Sequence, residues 1–198
     1  MNTFAKKKTQ KLTTLALLSA LTVLLQVVCT FIKFGPISMT LALTPVIIGA
    51  ALYGWREGAL LGFIFSLTVF IMGITGADGG FVLMMMEYNA VATTIVCLLK
   101  GTAAGAAAGI VYKLLVPHNK TAAALTASVL TPIVNTGLFA IVMATVFYGF
   151  LSGFAGESDP VAFLLTGMIG INFLVELAVN TALGTTVARI LAVYRKKH

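Results

Sequence analysis

Apolar runs of about membrane-spanning length follow one another along this chain, and only short connections separate them. They cover about residues 12–32, 38–53, 57–74, 90–115, 121–150 and 161–193. A bilayer's hydrocarbon core takes about 20 apolar helical residues, so six such spans use up nearly all of the 198 residues. Apolar side chains make up 59% of the sequence and charged ones only 10%, against about a quarter charged in a soluble domain. The runs predict an all-α membrane protein. Its six transmembrane helices form one compact bundle, and residues 1–198 form a single integral-membrane domain. Little is left for an aqueous domain, so any catalytic or nucleotide-hydrolysing module would belong to another chain.

The charges sort by side. The formal net charge is +7, which in a soluble chain would suggest nucleic acid, but the placement argues for topology. Lys6, Lys7, Lys8 and Lys11 precede the first run, and Arg189, Arg195, Lys196 and Lys197 close the last. Arg56, Lys113 and Lys120 fall in the connections that share that side, whereas Asp78, Glu157 and Asp159 fall on the other with Lys33. This is the positive-inside pattern, with both termini cytoplasmic. Cys29 and Cys97 have no CxxC or Cys/His neighbour and read as small core side chains. No small-x-small cleavage site follows the Lys-rich start, so 12–32 reads as a retained helix.

Along the chain, Gly35-Pro36 marks the first loop, Pro45 predicts a kink or local weakening of the second span, and Trp55 suits the interface of the next turn. Residues 75–89 form the longest external connection and read as an interfacial or re-entrant segment. Asp159-Pro160 reads as a helix start, an N-cap acid followed by proline at the first helical position. No internal repeat is evident, which argues against an inverted-repeat transporter.

Four polar residues interrupt the runs at similar depth: Lys100, Asn135, Asn172 and Glu176. A charge at mid-membrane costs about 2.5–3.5 kcal/mol even on insertion scales. Interhelical polar bonds return only about 0.6 kcal/mol on average. Structural glue therefore explains the four less well than a pocket for a small polar molecule. Asn172 and Glu176 are four residues apart and share a helical face with Asn180. Pro132, shortly before Asn135, removes a helical donor and frees a carbonyl. The competing structural arrangement is a Lys100–Glu176 ion pair that holds the bundle together.

Ala16 and Ala20 form Ala-x-x-x-Ala, and Gly101, Gly105 and Gly109 form two Gly-x-x-x-Gly steps. Both spacings let a second helix approach closely. The glycines read as internal packing, and the alanines as open to a partner subunit. Phe81, Met84, Met85, Met86 and Tyr88 offer aromatic and flexible surface for an outer lid. No phosphate loop, nucleophile elbow or His-Glu-x-x-His is present, and both histidines lie at chain positions expected at the surface. The sequence points to no enzyme, no metal and no cofactor.

Several segments resemble one family in order. They are Ala16–Ala20, Met39-Thr-Leu-Ala-Leu-Thr-Pro-Val-Ile-Ile-Gly-Ala50 and Tyr53-Gly-Trp-Arg-Glu-Gly-Ala-Leu-Leu-Gly62 in the first half. Cys97-Leu-Leu-Lys-Gly-Thr-Ala-Ala-Gly105, Pro132-Ile-Val-Asn-Thr-Gly-Leu-Phe139 and Asn172-Phe-Leu-Val-Glu176 follow. Together they resemble the substrate-binding S component of energy-coupling factor (ECF) vitamin transporters. The resemblance implies a six-helix subunit of a bacterial cell membrane that captures a vitamin from outside. It further implies ATP-driven import with a transmembrane coupling protein and two cytoplasmic ATPases. It carries substrate binding to Lys100, Asn135, Asn172 and Glu176, lids to Gly35, Pro36, Phe81, Met84 and Tyr88, and docking to Ala16 and Ala20. The match is nearest the pantothenate and pyridoxine/hydroxymethylpyrimidine types, and Lys100 suits an anionic ligand such as pantothenate. The alternatives are a stand-alone secondary transporter using Glu176 as a proton or cation site, and a purely structural subunit.

Overall fold

Apolar segments in lipid must satisfy their backbone internally, and this chain does so by being helical. The computed structural model describes the backbone over residues 3–32 and 41–197, and side chains over 5–32 and 41–191. Helices follow as α1 Thr3–Thr30, α2 Leu43–Tyr53, α3 Trp55–Ile74, α4 Phe81–Leu115, α5 Lys120–Thr145, α6 Tyr148–Ala155, α7 Pro160–Phe163 and α8 Gly170–Lys197. A π-helical segment, Leu164–Ile169, joins α7 to α8, and no strand occurs among the described residues. Among the described residues five helical stretches are long and apolar enough to cross a bilayer: Ala5–Thr30, Trp55–Ile74, Phe81–Leu115, Lys120–Thr145 and Pro160–Leu191.

Several boundaries differ from the sequence expectation, each for a local reason. The described part of the second run is an 11-residue helix, about 16 Å long at roughly 1.5 Å per residue and short of a bilayer core. Pro45 does not kink it. It lies in the first turn of α2, where its missing N–H would have had no helical partner anyway. The expected external segment is partly helical, because α4 begins at Phe81 and bends at Asn89, whose φ of −156° leaves the helical region. There the Asn89 side chain accepts from the Ala92 N–H at 3.0 Å and caps the second part of the helix. The expected fifth span divides at Val146-Phe147 into α5 and the short α6. Asp159 does open the last span, accepting from the Ala162 N–H at 2.7 Å with Pro160 at the first helical position.

Large apolar side chains point outward in stripes, such as Val91, Ile95 and Leu99 on α4 and Ile171 and Leu174 on α8. Apolar surface this extensive suits a bilayer and not water. Threonine hydroxyls are kept from lipid by donating to the carbonyl one turn back, as Thr22 does to Leu18 at 2.8 Å and Thr131 to Ala127 at 2.6 Å. At one end of the bundle, Ile47, Ala50, Ala108, Tyr112, Ala124 and Val187 pack the close of α2, α4 and α8 around the start of α5. There Lys11 pairs with Glu57 and lies 5.6 Å from the Tyr53 ring centroid, tying α1 to the start of α3.

The closest helix contact joins α3 and α4. A Cβ added at Gly62 would collide with the Gly101 carbonyl oxygen, and one at Gly58 with that of Gly105. A Cβ added at Gly109 would likewise fall 2.5 Å from the Trp55 Cα. The glycine row is thus internal packing, and the Gly101 N–H donates across the contact to Ser66 Oγ at 3.1 Å. This backbone-to-backbone fit sets the rotation of α4 and hence the direction of Lys100.

Gly105→Leu should destabilise the chain by at least the roughly 1–3 kcal/mol typical of overpacking, because backbone cannot yield as a side chain does. Gly137→Ala, where an added Cβ meets nothing within 4 Å, should raise stability by up to about 1 kcal/mol through helix propensity. Thermal unfolding of the two variants in detergent checks both directions.

Candidate functional site

Helices α4, α5 and α8 each turn a polar face inward at one level of the bundle. On α5, Asn135 and Phe139 are one turn apart; on α8, Asn172 and Glu176 are. The π-helical segment immediately before Asn172 widens one turn and offsets the phase of α8 from that of an unbroken helix. These faces line a cavity of about 80 Å³. One water needs roughly 10–15 Å³ of such space, so the cavity suits a small molecule.

Lys100, Asn135, Asn172 and Glu176 all line this cavity. Lys100 is half-buried, and its ammonium lies 4.9 Å from the centroid of the Phe139 ring, another wall residue. That geometry is a cation–π contact. No N···O approach within 4.0 Å joins Lys100 to Glu176; among the described residues the ion pair at that limit is Lys11–Glu57. The competing arrangement, a bundle-holding Lys100–Glu176 ion pair, is therefore not formed at that distance. Asn135 and Glu176 are each 4% exposed, and Asn135 Oδ1 and Glu176 Oε1 have no hydrogen-bond partner among the described residues. Such an atom costs about 1–3 kcal/mol in lost hydration. Ser128 Oγ is also unmatched, but it lies outside the cavity, near Gly184 on α8. Asn180, on the same face as Glu176, is bonded structurally. It donates to the Glu176 carbonyl at 2.9 Å and accepts from Thr44 at 3.3 Å.

An aromatic cluster roofs the space. The Phe81 ring packs 6.5 Å from Phe139 and 6.0 Å from Phe150, and Phe150 packs 5.0 Å from Phe154. Tyr88 joins the cluster 5.6 Å from Phe150. Thus α6 and the first turns of α4 cover the same end.

Of the expected lid residues, Phe81 lines the cavity, while Met84 and Tyr88 do not. Met84 is exposed, and helical phase puts Met85 inside instead, one turn from Phe81. Tyr88 acts only through its ring neighbours. Gly35 and Pro36 lie outside the described residues. Ala16 and Ala20 are exposed on α1, away from the cavity, among exposed Leu12, Leu17 and Leu24.

The cavity also holds residues that the sequence reading did not select. Cys97 is a wall residue, whereas Cys29 is core. Asp78 lines the mouth, but its carboxylate accepts from the Gly80 and Val82 N–H groups at 2.9 and 3.0 Å, so it serves the start of α4. Gln26, on α1, is the third addition. Its signal in the sequence was a lone carboxamide inside an apolar run. Among the described residues no cluster of His, Cys, Asp and Glu could hold a metal ion.

The family model for the ECF transporter, substrate-specific component, matches residues 10–188 of the chain. No curated protein matches it.

Removing a buried acceptor that has no partner should not weaken the unliganded protein. Asn135→Leu is expected to leave the thermal midpoint unchanged or raise it. Asn180→Leu should instead cost about 1–3 kcal/mol, since it breaks bonds already made. Denaturation of the two unliganded variants side by side distinguishes the unmatched amide from the structural one.

Proposed function

Because the chain belongs to the family of ECF transporter substrate-specific components, we propose that it captures a small water-soluble vitamin from outside the cell for ATP-driven import. Proteins of this family are multi-pass membrane subunits that bind small molecules and work with an ECF module of a transmembrane component and ATPases. In the proposed arrangement six helices cross a bacterial cell membrane, and both termini are cytoplasmic. Pantothenate is the first candidate ligand, and a pyridoxine or hydroxymethylpyrimidine vitamer is the second.

The observation that carries this reading is the shared cavity. Among the described residues, a cation with no carboxylate within 4.0 Å and buried acceptors without partners meet there. A carboxylate on the ligand would offset the desolvation of Lys100. Hydroxyl or amide hydrogens would satisfy Asn135 and Glu176, and Asn172 would fix the ligand's orientation between them. The Phe81, Phe139 and Phe173 rings provide apolar walls for the ligand's body. Phe81, with Tyr88 and Met84 around it, would act as the outer lid together with the Gly35-Pro36 loop. The exposed Ala16 and Ala20 face of α1 would dock on the transmembrane coupling protein, small side chains permitting close helix approach.

In proteoliposomes, uptake should require ATP and the partner subunits. Uptake by this chain alone under a pH gradient would contradict the proposal and favour a secondary transporter working through Glu176. Ala16→Trp and Ala20→Trp should abolish uptake while changing vitamin affinity by less than about twofold. Lys100→Met should weaken pantothenate by about 10- to 100-fold, the scale of one lost charge-assisted hydrogen bond, and leave pyridoxine nearly unaffected.

A further inference from the structure

The helix with the docking alanines also reaches the cavity. Gln26 is one of its wall residues, 2% exposed, and its Oε1 is buried with no hydrogen-bond partner among the described residues. The other buried polar residues of α1 serve the helix itself: Thr22 donates to the Leu18 carbonyl and Thr30 to that of Gln26, both at 2.8 Å. Gln26 has no such local duty for its oxygen.

The direction of the amide follows from its neighbour. Thr30 Oγ1 spends its proton on the Gln26 carbonyl, so it can only accept from the group facing it. Gln26 therefore turns Nε2 toward Thr30, a long contact at 3.4 Å, and leaves Oε1 as the unmatched end. With Asn135 Oδ1 and Glu176 Oε1, three buried acceptors from α1, α5 and α8 belong to residues of one cavity. A ligand offering only acceptors would leave all three oxygens unmatched.

We infer that Gln26 is a ligand-contacting, specificity-setting residue, accepting a hydrogen bond from a hydroxyl or N–H group of the bound molecule. This rests on the vitamin-binding reading and sharpens its chemistry. The ligand is a molecule with several donors along its body, and α1 is a wall of the site as well as the carrier of Ala16 and Ala20.

The test uses the purified full chain with pantothenate, pyridoxine and hydroxymethylpyrimidine as probes. Affinity and the thermal midpoint, with and without each probe, are measured for wild type, Gln26→Leu and the closer-shaped Gln26→Met. For whichever probe wild type binds, both variants should lose about tenfold in affinity. They should also lose most of the ligand-induced rise in midpoint, while their unliganded midpoint stays level or increases. Affinity within twofold of wild type in either variant overturns the assignment of Gln26 but leaves vitamin binding intact. An unliganded midpoint that falls while the ligand-induced rise persists, or failure of both variants to fold, makes Gln26 a structural residue and overturns it too. A wild-type chain that binds none of the three overturns the vitamin reading and this inference together.

Discussion

A polar atom buried between apolar helices must find a partner, and several acceptors at one level of this molecule have none among the described residues. Asn135 Oδ1 and Glu176 Oε1 come from different helices, and Gln26 Oε1 comes from a third. Each of these oxygens is buried, and no described side chain donates to it. Lys100 lines the same space without pairing to Glu176. Natural interiors keep such unmatched groups few, because each one weakens the fold. Their concentration around one cavity is the arrangement that a polar ligand relieves, and the rest of the structure serves to hold it.

That holding is done by contacts with little freedom. Glycine backbones on α3 and α4 meet directly, so α4 cannot rotate without a clash, and Lys100 keeps its direction beside Gly101. Asp78 pins the start of α4 through two backbone N–H groups, which sets Phe81 and Met85 at the cavity. The π-helical segment ahead of Asn172 sets the phase at which α8 presents its polar face. The aromatic cluster from Phe139 through Phe81 to Phe154 closes the same end. In the proposed arrangement recognition and docking occupy different faces of the fold, and α1 takes part in both.

Much of the candidate site was legible in the sequence because lipid makes polar residues conspicuous. Lys100, Asn135, Asn172 and Glu176 stood out by that rule, and the structure brings all four to one cavity. Gln26 obeyed the same rule, yet its helix looked like a docking element and not a wall. Met84 was chosen over Met85 because composition names a lid while only helical phase selects its inner face. The start at Asp159-Pro160 was readable, since a cap has its own chemistry. The break at Val146-Phe147 and the π-helical segment were not, because neither is marked by proline and both arise from packing. The glycine row of α4 was readable as internal packing, but the partners it meets, Gly58 and Gly62 on α3, were not.

Native mass spectrometry of the chain released from detergent, after exposure to a panel of water-soluble vitamins, tests the central claim most directly. The account predicts one vitamin molecule per chain, pantothenate first among the candidates, and its loss when Asn135 and Glu176 are both replaced by leucine. No adduct with any vitamin, or an adduct that survives that double replacement, would contradict it.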